Sequence, residues 1–120
     1  MRALALRFAN VVEDSTEMSG FFDSLGLSRM ELPEEAAGFE GSIHLAGESW
    51  IETWQSGEQM PAGLMLQIVV DDAEKFAEHA RSNGLDPQGP MDAHGERIYM
   101  LTAPGGLQIS FQSALDSGEA

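Results

Sequence analysis

The 120-residue sequence predicts an α+β fold of two tandem βαβββ modules forming a curved mixed sheet around a cleft, and three observations carry that reading. The first is an internal repeat. Sliding the chain by 58 residues sets Leu6 on Leu64, Val11 and Val12 on Val69 and Val70, Asp14 on Asp72, Ser24 on Ser82, and Gly26-Leu27 on Gly84-Leu85. It also sets Gly47 on Gly105 and Ile51 on Ile109. These nine identities exceed the roughly four that composition alone would give. The second is the shared punctuation of the two copies: an acidic cap follows an apolar strand, and glycine ends the helix that comes next. The third is that strand patterns outnumber helical ones, which places the helices on one side of a sheet.

The elements follow in order. Ala3 to Val12 alternates as a strand, with Leu4, Leu6 and Phe8 on one face and Ala5, Arg7 and Ala9 on the other. Asp14 with Glu17 forms a capping box, and Met18, Phe21, Phe22 and Leu25 recur at helical spacing until Gly26 stops the helix. These four apolar residues are the expected inner face. Ser28 to Gly38 reads as a short strand and an exposed turn around Pro33 and Glu34-Glu35. Phe39 to Ala46 and Ser49 to Gln55 read as a hairpin about Gly47-Glu48. Residues 56–63, SGEQMPAG, form the seam between the copies.

In the second copy, Leu64 to Val70 has the near-continuous apolar character of a strand covered on both faces. Asp71-Asp72 caps a helix with Ala73, Phe76, Ala77 and Ala80 inward, and Asn83-Gly84 ends it. Pro87 and Pro90 bound a connecting segment. Arg97 to Thr102 and Leu107 to Gln112 then form a hairpin around Ala103-Pro104-Gly105-Gly106. Residues 1–116 are expected to make one domain, with modules at 3–57 and 61–113 and a frayed tail at 117–120.

Composition narrows the partners. Six basic against twenty acidic residues give a net charge of -14, which repels nucleic acid and anionic membrane surfaces. Without cysteine there is no disulfide framework, thiolate nucleophile or Cys-ligated metal, and a cytoplasmic location is expected. The N-terminal stretch has no small-residue cleavage site, and no segment reaches membrane-spanning length. Dinucleotide, phosphate-loop, nucleophile-elbow and HExxH motifs are absent.

The punctuation carries a family resemblance. Val12-Glu13-Asp14 before the first helix with Leu25-Gly26-Leu27 after it, Val70-Asp71-Asp72 with Asn83-Gly84-Leu85 in the second copy, and IYMLTAPGGLQISFQ at 98–112 resemble the vicinal oxygen chelate superfamily. That group includes glyoxalase I, bleomycin-resistance proteins and extradiol dioxygenases. The resemblance implies a glyoxalase/bleomycin-resistance-like domain that pairs as a homodimer. It also implies four equivalent metal-ligand positions, which fall on Arg7, Glu52, Met65 and Ser110. Of these, Glu52 alone is a competent hard ligand, because arginine does not give up its proton and a thioether binds such ions poorly. No metal or other cofactor is therefore expected. His44, His79 and His94 are too scattered to replace the site.

Period two places Trp50, Glu52 and Trp54 on one strand face, a carboxylate between two indoles. Indoles are seldom all left in water, so this face is expected to line a pocket. Arg7, Met65, Gln67, Gln108 and Ser110 are expected to join it, as are Arg97 and Tyr99. Arg7 and Glu52 are expected to form a direct ion pair. The resulting reading is a metal-independent small-molecule binding protein whose ligand has an aromatic or apolar part and a polar oxygen. The alternative is a glyoxalase- or dioxygenase-like lyase or isomerase, with Glu52 as catalytic base or an unconventional metal site, and an inert scaffold comes third.

Overall fold

The computed structural model describes residues 1–32, 38, 40–58 and 60–115. The expected turn at Pro33 to Glu35 and the expected frayed tail lie outside the described residues. The chain runs β1 (Ala3–Val12), α1 (Ser15–Leu25), β2 (Arg29–Met30), β3 (Gly41–Ala46) and β4 (Ser49–Gln55). It continues with β5 (Gly63–Val70), α2 (Ala73–Ser82), β6 (Gln88–Ala93), β7 (Glu96–Thr102) and β8 (Gln108–Ala114). Strand, helix and three strands thus occur twice, and the fold is α+β. Two compact units result, one of residues 7–65 and the other of 1–6 with 66–120.

In the unit of residues 7–65 the strand order is β2-β3-β4-β1. β1 and β4 run parallel, with Arg7 opposite Trp50, Ala9 opposite Glu52 and Val11 opposite Trp54. β3 and β4 are antiparallel, with Gly41 opposite Trp54, Ile43 opposite Glu52 and Leu45 opposite Trp50. The sheet is therefore mixed. α1 starts where Asp14 accepts the Glu17 amide and stops at Gly26, which takes the left-handed conformation at φ 103°.

The inner face of α1 differs from expectation. Ser15 and Ser19 are its buried residues, whereas Phe21 and Leu25 face outward. The reason is what lies opposite: β3 offers polar Ser42 and His44, and Ser19 Oγ meets Ser42 Oγ at 2.7 Å. A hydroxyl-bearing helix face satisfies that surface, and an apolar one would strand it.

In the other unit the order is β5-β8-β7-β6. Antiparallel β7 and β8 place Tyr99 opposite Phe111 and Met100 opposite Ser110. α2 is capped by Asp72, which accepts the Lys75 amide, and its buried residues are Ala73 and Ala77. These two alanines let the helix approach Val70, Tyr99 and Phe111 closely, with Ile68, Phe76 and Leu101 around them. Tyr99 and Phe111 stack at 5.4 Å between centroids. β5 is less covered than its apolar run suggests, since Leu64 is exposed and Val70 is its fully buried residue. Among the described residues, no helix is long and apolar enough to cross a membrane.

Each helix is anchored in the same way within its own copy. Gln55 Oε1 accepts the Ser15 amide at 3.0 Å and Ser113 Oγ accepts the Ala73 amide at 2.9 Å. Both acceptors and both donors are separated by the 58-residue repeat. In each copy a side chain from the last strand takes an amide that the helix cannot satisfy by itself.

Candidate ligand-binding site

Strand parity builds the site. On β4 the odd residue Thr53 is buried, as are Ser42 and His44 on β3, the strands that α1 packs against. Trp50, Glu52 and Trp54 therefore stand on the opposite face. The indole Nε1 of Trp50 donates to Glu52 Oε2 at 2.8 Å, and that of Trp54 donates to Glu52 Oε1 at 2.9 Å. One carboxylate thus receives two charge-assisted hydrogen bonds and fixes two rings at once. Below it lie the buried Ala9 and Ile43, its neighbours on β1 and β3.

Two further residues shape this face. The Arg7 guanidinium lies 4.0 Å from the centroid of Trp50, a cation over an aromatic face. Arg7 is thus in the cluster with Trp50, and Glu52 carries two indole donors. Gly41 makes room for Trp54, because a Cβ there would run into the indole ring and the Thr53 carbonyl. Gly41 was not foreseen as part of the site. Its signal was present, since a two-residue turn pairing Ala46 with Ser49 sets Gly41 opposite Trp54 by counting alone.

On the other unit, Gln108, Ser110 and Gln112 share a face of β8. Ser110 Oγ donates to Gln112 Oε1 at 2.7 Å, and Gln112 Nε2 donates to Glu96 Oε1 at 3.2 Å and to Gln67 Oε1 at 3.5 Å. Gln67 and Ser110 are therefore in one hydrogen-bonded row, which also recruits Glu96. Gln108 turns to its own hairpin and donates to Thr102 Oγ1 at 3.2 Å. Met65 is half-buried, on the same parity of β5 as Gln67.

Arg97 and Tyr99 are not in this row. Tyr99 is buried in the core under α2, where its hydroxyl donates to Glu74 Oε2 at 2.7 Å. Arg97 donates to Glu74 Oε1 at 3.2 Å and forks onto Asp92. The cause is parity: Met100, the neighbour of both sequence and site, is the residue opposite Ser110, so odd positions of β7 face the helix. Burial, then the bond to Glu74, pushes the Tyr99 hydroxyl above its ordinary pKa.

A second polar cluster joins α1 to β3. His44, fully buried, places Nε2 2.9 Å from Asp23 Oδ1, and Arg29 forks onto both oxygens of Asp23 at 2.9 and 2.8 Å. The Arg29 hydrogen bond, then that of His44, holds the Asp23 carboxyl down to about 2. This cluster latches the helix to the sheet from the side opposite the indoles.

The positions that the superfamily uses for a divalent ion do not fit one here. Arg7 is a guanidinium, Met65 a thioether, Ser110 a buried hydroxyl already donating to Gln112, and Glu52 a carboxylate held by two indoles. Among the described residues, no His, Asp and Glu group could hold a metal ion.

The fold is that of the vicinal oxygen chelate superfamily. Solved structures share it at low identity. A glyoxalase/bleomycin resistance protein/dioxygenase superfamily member from Vibrio splendidus 12B01 is 16% identical at a TM-score of 0.65, over 90% of this chain and 97% of that one. Methylmalonyl-CoA epimerase from Mycobacterium tuberculosis is 14% identical at 0.65, over 98% and 90%. A hypothetical protein from Bacillus halodurans C-125 is 19% identical at 0.67, over 97% and 96%. No family profile matches the sequence, and no curated protein matches it.

Proposed function

We propose that this chain is a metal-independent small-molecule binding protein whose ligand rests on the face of Arg7, Trp50, Glu52 and Trp54. The observation that carries the reading is the double hydrogen bond from the two indoles to Glu52. Both rings are half-buried, and both have their one polar hydrogen committed to the carboxylate between them. What they turn toward a ligand is ring carbon. Ring stacking therefore supplies attraction, and the Arg7 guanidinium over Trp50 supplies a positive edge for a polar oxygen. A small aromatic or apolar molecule with a polar oxygen fits this chemistry. Glu52 serves in it as the acceptor that aims the rings, which favours binding over proton abstraction.

The test is titration of the full chain with a panel of aromatic ketones and aromatic carboxylates, followed by tryptophan emission. At least one member should give a saturable change that Trp50→Ala abolishes. No saturable change anywhere in the panel, with no rise in melting temperature, would refute the reading.

A further inference from the structure

The two copies of the repeat differ in what their helices show to the outside. The 58-residue shift sets the buried Ser15 and Ser19 of α1 on the buried Ala73 and Ala77 of α2, so both helices pack through the same positions. It also sets Phe21 on His79 and Leu25 on Asn83. His79 and Asn83 are exposed and polar, as an outer helix face in water should be, and Asn83 bonds back to His79. Phe21 and Leu25 are 58% and 63% exposed, yet apolar. With Met18 they make a stripe at i, i+3 and i+7, the spacing by which one helix seats on another. Met18 and Phe21 also line an open groove with Val12 from the end of β1, and its other walls are Asp14 and Glu17.

We infer that the outer face of α1 is the docking site for an amphipathic helix of another protein, one that carries lysine or arginine in its last turn. The apolar stripe supplies the seam, and the charges choose the occupant. Asp14 and Glu17 stand at the N-terminal end of the stripe, and Glu17 takes the place that Lys75 has in the other copy. α1 holds no basic residue, so a second α1 brings nothing positive to these acids. A chain of charge -14 repels another copy of itself and draws in a basic partner. An antiparallel seat puts the last turn of the partner helix beside Asp14 and Glu17. Acids then lie at the start of one helix and bases at the end of the other, where each helix dipole favours them. The indoles stand on the side of the sheet away from α1, so this inference does not rest on the ligand reading.

The probe is a fluorescein-labelled peptide of about 20 residues with leucine at the a and d positions of its heptads and lysine in its last turn. Its anisotropy is followed as the full chain is added. Binding is expected with a Kd on the order of 10 micromolar in about 0.15 M sodium chloride. Phe21→His with Leu25→Asn, which gives α1 the outer face of α2, should weaken it at least about tenfold and leave the far-UV circular dichroism unchanged. Glu17→Lys should weaken it about fivefold, and a peptide with glutamate in place of those lysines should bind that variant better than the wild type. No binding at about 1 mM would overturn the inference. Equal binding of the same residues in scrambled order, or no effect of the paired Phe21 and Leu25 substitutions, would overturn it by reducing the contact to charge attraction. A wild-type chain that sediments as a dimer, and that those two substitutions dissociate, would overturn it by giving the stripe to a second copy.

Discussion

Glu52 decides how its face of the sheet is used. A carboxylate offers an acceptor to each indole, whereas an amide offers one acceptor and turns its NH2 toward the second N–H. Glu52→Gln should therefore cost about 1–3 kcal/mol, read by urea denaturation, and should change the near-UV circular dichroism as one ring loses its anchor. An unchanged spectrum would mean that the rings are held by packing instead. Tyr99 gives a second test, because it is the one tyrosine of the chain. Its hydroxyl is pushed above 10.0 by burial and by Glu74, so the folded state favours the protonated phenol. That contribution is complete below the unfolded value and is lost as the pH rises through the folded one. Ultraviolet titration should show less than half of the phenol ionised at pH 10.0, and an abrupt rise where the fold opens.

At the scale of the elements, the Gly41 opening is the most sensitive point of the β3-β4 hairpin. Gly41→Ala has no room against the Trp54 ring and the Thr53 carbonyl, and should cost about 1–3 kcal/mol with a shift in tryptophan emission. The Asp23 latch adds a pH dependence. Its folded pKa is depressed, so its contribution is present above the ordinary 3.8 and is lost as the pH falls from there toward about 2. The melting temperature of Asp23→Asn should fall less over that interval than that of the wild type.

The elements were legible because their caps, stops and alternation are local, and the Trp50-Glu52-Trp54 face followed from period two. Two placements were not legible. The serine face of α1 depends on His44 and Ser42 across the interface, which no helical periodicity reports. The misplacement of Arg97 and Tyr99 has a one-residue cause. Ile51 pairs with His44 and its repeat mate Ile109 pairs with Leu101, so β7 answers β3 at a shift of 57 while the rest of the repeat keeps 58. One residue of slip turns every side chain of a strand to its other face.

For the whole molecule, the dominant fact is the excess of twenty acidic over six basic residues. Compaction gathers those charges, and salt screens their repulsion. The melting temperature should therefore rise from low salt to about 0.5 M sodium chloride, and scanning calorimetry reads the shift directly. A fall would mean that the ion pairs of Arg29 and Arg97 outweigh the repulsion. Charge was fully legible in the sequence, but which acids are paired was not, because Asp23 at the end of α1 meets Arg29 only when the chain turns into β2, and Asp92 meets Arg97 only once β6 and β7 are in register.

The indole clamp also bears on hydration. With both ring N–H groups turned onto Glu52, water resting on the rings finds few donors and is held loosely. A ligand arriving there displaces water that has little to lose by leaving. Isothermal calorimetry should then show heat released on binding together with a negative heat-capacity change, the signature of an apolar molecule entering a poorly wetted surface that was formed before it came.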